Sequence, residues 1–214
     1  MSIYEHIDYT LLKPTATYND IWNLCKEAKE KNCASVCVPP HFVEFVYNHF
    51  PTLTVCTVVG FPLGNCTTAT KVAEVEEAIE NGATEIDMVI NIGELKNGNI
   101  QYVQDEIAQI HSITSWHSFI LGEKITLKVI VETCYLTKEE IAIVTDIVDN
   151  SSADYIKTST GFGSRGASYE DILIMRKNIH NGTKIKASGG IRTKEEMMKY
   201  LMLGCDRIGA SKLP

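Results

Sequence analysis

The sequence predicts an α/β protein folded as one closed (β/α)8 barrel, the TIM-barrel class, over residues 1–214. Three observations predict it. Eight short strand-like runs recur with centres roughly 20 to 40 residues apart, the size of a strand-plus-helix unit. The segments between them carry helical periodicity. The length of 214 residues lies near the lower end for such barrels, and no G-x-G-x-x-G follows the first run, so the usual mark of an open dinucleotide-binding sheet is missing. An open doubly wound sheet is the alternative arrangement of the same units.

Ile7–Thr10 is the first run. After it, Thr17 with Asp20 matches a capping box, and Ile21, Leu24, Cys25 and Ala28 fall at i, i+3, i+4, i+7 on one helical face. Ala34–Val38 and Leu53–Val59 are the second and third runs, followed by a helix marked by Val72, Val75 and Ile79 and stopped at Asn81-Gly82. Glu85–Ile90 is the fourth. The connection from Asn91 to Ile125 is the longest and has room for an extra turn or short helix. Thr126–Val131 is the fifth run, with Thr137 and Glu140 capping a helix through Ile141, Val144 and Val148. Asp154–Thr158, Lys184–Ala187 and Arg207–Gly209 complete the set. Between them stand the boxes Ser168 with Asp171 and Thr193 with Glu196, and the stops Asn181-Gly182 and Gly204. No low-complexity linker or charge block divides the chain, so one domain is expected.

Composition narrows the function. With 44% hydrophobic and 22% charged residues the chain can bury a large core. A net charge of −7 argues against nucleic acid or anionic membrane as a partner held by bulk charge. Cys25, Cys33, Cys37, Cys56, Cys66, Cys134 and Cys205 are odd in number, scattered, and free of C-x-x-C spacing, so reduced core thiols in a cytoplasmic protein are expected. No signal-peptide core and no run of ~18 apolar residues stands against that. No His/Cys cluster has metal spacing, and no metal is expected.

Lys157 and Lys186 carry the functional argument. An ammonium group inside a short buried strand loses its hydration, yet both lysines sit near strand ends that run into glycine turns, Lys157-Thr158-Ser159-Thr160-Gly161 and Lys186-Ala187-Ser188-Gly189-Gly190. Alternation puts Asp87 and Lys128 on the corresponding faces of earlier strands. All four then point into the barrel, with Lys157 and Lys186 nearest the C-terminal face where barrel active sites are built. Lys128 lies deeper, able to pair with Asp87 or Glu132. At its ordinary pKa of ~10.4 about one lysine in 2,500 is neutral at pH 7, and bringing that value near 7 costs roughly 4.6 kcal/mol. Two ammonium groups ~5 Å apart at an effective dielectric of ~20 repel by about 3.3 kcal/mol, so the second lysine would supply over half of what a Schiff-base nucleophile needs. The plainer alternative is a polar layer of lysines paired with carboxylates. For Asp87, pairing with Lys128 accounts for it as well as catalysis does.

The glycine loops suggest a phosphorylated ligand, because glycine lets backbone N–H groups approach closely and the last barrel loops often hold phosphate. Thr158, Gly161, Gly189, Gly190, Gly209 and Ser211 are the residues expected to meet substrate and phosphate. Cys37 ends the second strand, where core packing is its first expectation and a supporting place at the pocket its second. Gly60-Phe61-Pro62-Leu63-Gly64 reads as a rigid loop at the mouth.

These motifs, with Ile7-Asp8-Tyr9-Thr10-Leu11-Leu12-Lys13-Pro14, Val36-Cys37-Val38, Glu85-Ile86-Asp87-Met88-Val89-Ile90-Asn91, Leu127-Lys128-Val129-Ile130-Val131-Glu132-Thr133 and Arg207-Ile208-Gly209-Ala210-Ser211, resemble those of the deoxyribose-phosphate aldolases, a family of class I aldolases, nearly end to end. The resemblance implies reversible cleavage of 2-deoxyribose 5-phosphate to acetaldehyde and glyceraldehyde 3-phosphate. It implies Lys157 as the Schiff base, Lys186 as the group that perturbs it and shares in proton transfer, and Asp87 as a proton carrier acting through a water. It also implies no cofactor, because the imine is the electron sink, and a homodimer. Two departures stand out. Pro39 replaces the asparagine usual before Pro40, which would reshape the pocket rim. The chain also stops at Pro214 where the family continues, which would bear on phosphate affinity and on closure of the last unit.

Overall fold

The computed structural model describes residues 2–214. Its parallel strands β1 (Ile7–Thr10), β2 (Ser35–Val38), β3 (Val55–Val59), β4 (Glu85–Val89), β5 (Thr126–Ile130), β6 (Tyr155–Lys157), β7 (Lys184–Ser188) and β8 (Arg207–Ala210) close into a barrel in sequence order. Closure is direct: Ile7 pairs with Ile208 and Tyr9 with Ala210. Each predicted run therefore became a strand, shifted by a residue or two at its ends. Around them lie α1 (Tyr18–Lys31), α2 (Val43–His49), α3 (Thr68–Glu80), α4 (Ile92–Lys96), α5 (Ile100–Leu121), α6 (Lys138–Asp149), α7 (Tyr169–Asn178) and α8 (Lys194–Met202).

The local chemistry explains where the helices begin. Thr17, Thr137, Ser168 and Thr193 each accept a hydrogen bond from the backbone N–H three residues on, and Asp20, Glu140, Asp171 and Glu196 reach back to close the capping box. Such caps stabilise a helix by about 1 kcal/mol each and fix the path from strand to helix. The buried faces are the predicted ones: Ile21, Leu24, Cys25 and Ala28 in α1, and Ile141, Val144 and Val148 in α6, pack against the outer face of the barrel.

One expectation holds and one changes. The connection from Asn91 to Ile125 holds the extra short helix it had room for, the five-residue α4, ahead of the 22-residue α5. Asn181-Gly182 lies beyond the C-cap of α7, which is Ile179, so the pair shapes the turn into β7 and does not stop the helix. No helix among the described residues is long and apolar enough to cross a membrane. All seven cysteines are free.

Candidate active site

The barrel interior is charged. Asp8, Glu85, Asp87, Lys128 and Lys186 are buried there, with Lys157 and Arg207 only slightly exposed. Asp87 is the hub. Its Oδ1 accepts from Lys128 Nζ at 2.8 Å, and its Oδ2 accepts from both Lys157 Nζ and Lys186 Nζ at 2.7 Å. Lys157 and Lys186 are register partners on β6 and β7, so alternation brings both amino groups inward and onto one carboxylate oxygen.

The remaining pairs were not anticipated. Lys186 also binds Asp8. Lys128 binds Glu85 at 2.7 Å and lies 3.7 Å from Asp8, and it makes no pair with Glu132. Arg207 binds Asp8 and, at 3.2 Å, Glu85. Burial alone would raise the Asp87 carboxyl, but Lys128, Lys157 and Lys186 together hold it well below the usual carboxylate range. Asp8 behaves likewise, with Lys186, Lys128 and Arg207 overcoming its burial. For Lys186 burial favours the neutral amine, yet Asp8 and Asp87 keep it protonated well above the ordinary lysine range.

This corrects the two-lysine argument. The amino groups are neighbours, but an anion stands between them, so the pairwise repulsion is largely cancelled. What remains is a charge imbalance: the carboxylates of Asp8, Glu85 and Asp87 face the cations Lys128, Lys157, Lys186 and Arg207. Three anions meet four cations. Lys128, Lys186 and Arg207 each engage at least two carboxylates, whereas Lys157 engages Asp87 alone. A buried cluster is least costly when its charges balance, and Lys157 is the cation of this cluster with the fewest carboxylate partners.

Lys157 is also the only member of this cluster on the cavity wall. A cavity of about 360 Å³ opens at the C-terminal ends of the strands, lined by Lys157, Gly161, Gly189, Gly190, Gly209 and Ser211, with Thr10, Leu12, Lys13, Thr160, Phe162, Ser188 and Arg192 among its other residues. Gly209 has to be glycine for packing reasons, since a Cβ there would lie 2.8 Å from Ser188 Cβ. Gly189 and Gly190 both have positive φ, at 84° and 77°, a conformation that side-chain-bearing residues resist. Across the mouth the Phe61 and Phe162 rings meet edge to face at 5.4 Å, and Gly64 N donates to Gly60 O at 2.7 Å to close the loop that carries Phe61.

Asp87, Lys128 and Lys186 lie below the wall, fully buried. Thr158 does not meet the cavity. It follows an inward-facing lysine and therefore points away, where its Oγ1 accepts from Ser188 N at 3.1 Å and joins β6 to β7. Cys37 is likewise off the wall, packed with Cys56 and Val58 beneath Leu12 and Phe61. Pro39 caps the turn Pro40–Phe42 and is not a wall residue either. The ligand atoms of Cys37, Cys56 and Asp87 come within 4.8 Å of one another, but a divalent cation there would have to displace the ammonium groups already on Asp87.

The sequence matches the DeoC/LacD family aldolase profile over residues 5–211. The chain belongs to the DeoC/LacD aldolase family. A curated relative from Treponema denticola, a deoxyribose-phosphate aldolase, is 50% identical over 99% of this chain and 96% of its own. Among solved structures, an aldolase designated QR15 superposes with a TM-score of 0.89 at 36% identity, over 98% of this chain and 91% of that one. A tetrameric deoxyribose phosphate aldolase from Aeropyrum pernix superposes with a TM-score of 0.88 at 28% identity, covering 98% and 86%. Within this DeoC/LacD aldolase, sequence reasoning missed Asp8, Glu85, Arg207 and Cys56 of the interior and Arg192 and Thr160 of the wall. One signal was available: Asp8, like Asp87, is an aspartate inside a strand, where that residue is disfavoured.

Proposed function

We propose that this DeoC/LacD aldolase cleaves 2-deoxy-D-ribose 5-phosphate reversibly to acetaldehyde and glyceraldehyde 3-phosphate through an imine on Lys157. The observation that carries the assignment of the nucleophile is that Lys157 is at once the surplus cation of the buried cluster and its one member on the cavity wall. The neutral amine adds to the aldehyde carbon C1, and loss of water gives the protonated imine. The C2–C3 bond then breaks, its electron pair moving toward the imine nitrogen to leave an enamine while the C3 hydroxyl loses its proton. Protonation at C2 and hydrolysis release acetaldehyde and restore the amine.

Asp87 serves this sequence first as a counterion. Fully buried and held ionised, it fixes the Lys157 nitrogen and stabilises the positive charge that returns with the protonated imine. Its Oδ2 touches both lysine nitrogens and thereby offers a proton path between Lys157 and Lys186. The phosphate lies against Gly189, Gly190, Gly209 and Ser211, with Gly161 packed beside Gly189. We read the active form as a cytoplasmic homodimer; the free cysteines fit a reducing compartment, while the Aeropyrum relative is a tetramer.

Acetaldehyde release from 2-deoxyribose 5-phosphate, followed by reduction with a coupled alcohol dehydrogenase, tests the activity. Turnover of a keto sugar phosphate in its place would overturn the substrate. Lys186→Leu tests the role of the second lysine. Lys186 stays charged throughout the working range, so removing it leaves Asp87 free to hold a proton on Lys157. The pH of half-maximal borohydride trapping should rise by at least about 1 unit. An unmoved profile would show that Lys186 does not govern that proton.

A further inference from the structure

A buried carboxylate behind the cavity wall sits in a strained turn. Among the described residues other than glycine, Asn32, Glu132 and Ser152 have positive φ, and of these Glu132 alone is buried, at 1% exposure. Its backbone is left-handed, with φ 53° and ψ 68°, where β5 gives way to the short 3-10 turn Thr133–Tyr135. That conformation crowds a Cβ, and such strain gathers at functional sites. Strand alternation would send Glu132 inward with Lys128 and Ile130. The turn carries it under the β6–α7 loop instead. There its Oε2 accepts from Thr160 N at 3.2 Å and from Thr160 Oγ1, while its Oε1 has no hydrogen-bond partner among the described residues. The loop folds closely over it: a Cβ on Gly163 would lie 3.2 Å from the Glu132 carboxyl carbon and 2.5 Å from Cys134 Sγ. With its proton given to Glu132, Thr160 Oγ1 accepts from Phe162 N at 3.0 Å. One carboxylate thus fixes the Thr160 backbone, the direction of its hydroxyl, and the start of Phe162, whose ring meets Phe61 across the mouth. Thr160 and Phe162 line the cavity, and Glu132 does not.

We propose that Glu132 is a positioning residue for substrate binding, acting through Thr160 to hold the β6–α7 loop against the sugar phosphate. This deepens the aldolase reading and rests on it. Two arguments select this role over a purely structural one. A buried carboxylate with one oxygen unpartnered, on a strained backbone, stabilises a fold poorly, and an apolar side chain would avoid its desolvation. Both hydrogen bonds it does make go to a single residue, and that residue stands on the cavity wall. The network also leaves the reacting amine alone, since Lys157 Nζ donates to Asp87 and not to Glu132 or Thr160. Loss of Glu132 therefore weakens binding and spares the chemical step.

Steady-state kinetics and hydrogen exchange on the intact protein test this. Glu132→Gln keeps an acceptor of the same shape, so KM for 2-deoxyribose 5-phosphate should stay within about threefold of the wild type. Glu132→Leu removes the acceptor. Its KM should rise roughly tenfold or more with kcat within about threefold, the mark of lost binding that ground and transition states share. Without substrate, peptides over residues 160–164 should exchange faster in Glu132→Leu than in Glu132→Gln, with the rest of the barrel unchanged. Added to Thr160→Val, Glu132→Leu should raise KM by less than about threefold more, because its effect passes through the hydroxyl already removed. Equal damage from Glu132→Gln and Glu132→Leu, an unmoved KM in Glu132→Leu, or full additivity with Thr160→Val would overturn the proposal. A wild type that does not cleave the sugar phosphate would overturn the substrate instead, and the exchange comparison would still decide the role of Glu132.

Discussion

Lys157→Leu and Lys157→Arg should both be inactive, by at least about 10⁴-fold in kcat, and neither should be labelled when borohydride is added with substrate. The pair of variants separates two roles that one substitution confounds. Arginine keeps the cation beside Asp87 but never presents a neutral amine, so a lysine acting only as a salt-bridge partner would tolerate it. Leucine removes the surplus cation and leaves Asp8, Glu85 and Asp87 facing Lys128, Lys186 and Arg207, a balanced set. Its stability should therefore lie within about 1 kcal/mol of the wild type, since removing an unmatched buried charge offsets the lost pair. Peptide mapping of the trapped adduct is the decisive measurement. The rival amine is Lys13, exposed on the cavity wall; label found there, or retained in Lys157→Leu, would end the assignment.

How far such a site can be read from sequence depends on how local its causes are. Strand alternation is local, and it placed Asp87, Lys128, Lys157 and Lys186 on the interior face correctly. Capping boxes are local too, and all four formed. The same alternation, applied one residue further, would have turned Thr158 away from the ligand. Charge compensation is not local. Asp8 meets Arg207 across 199 residues because β8 closes on β1, and nothing short of barrel closure makes them neighbours. A two-lysine calculation therefore lacked the anions that decide its outcome. The length of α5 was hidden for another reason: its final turns interleave Ser112, Thr114, Ser115, His117 and Ser118 with the exposed Trp116, Phe119, Ile120 and Leu121, which blurs the period that marks a helix with one buried face.

Asp87→Asn should be the most damaging single change in the barrel, for chemistry and for folding. The amide presents an NH2 group toward the lysines that Asp87 now accepts from, and leaves Asp8 and Glu85 to face Lys128, Lys157, Lys186 and Arg207. Losing one partner of a buried charge network costs about 3–5 kcal/mol, a large share of the ~5–15 kcal/mol that holds a domain folded. The pH dependence carries a sign. In the native state the carboxyl is held well below its ordinary range, so its contribution is fully present above the unfolded-state value of ~3.9. It fades as pH falls from there through the lower native value. Urea unfolding should thus show the full gap between wild type and Asp87→Asn at pH 7 and a shrinking gap below about pH 4. On the chemical side, kcat should fall by on the order of 10²–10⁴, with borohydride trapping reduced alongside it, because the same carboxylate holds the nucleophile and offsets the charge of its imine. A variant that kept wild-type stability at pH 7, or that trapped substrate normally while failing to turn over, would show that Asp87 is not the hub that positions Lys157.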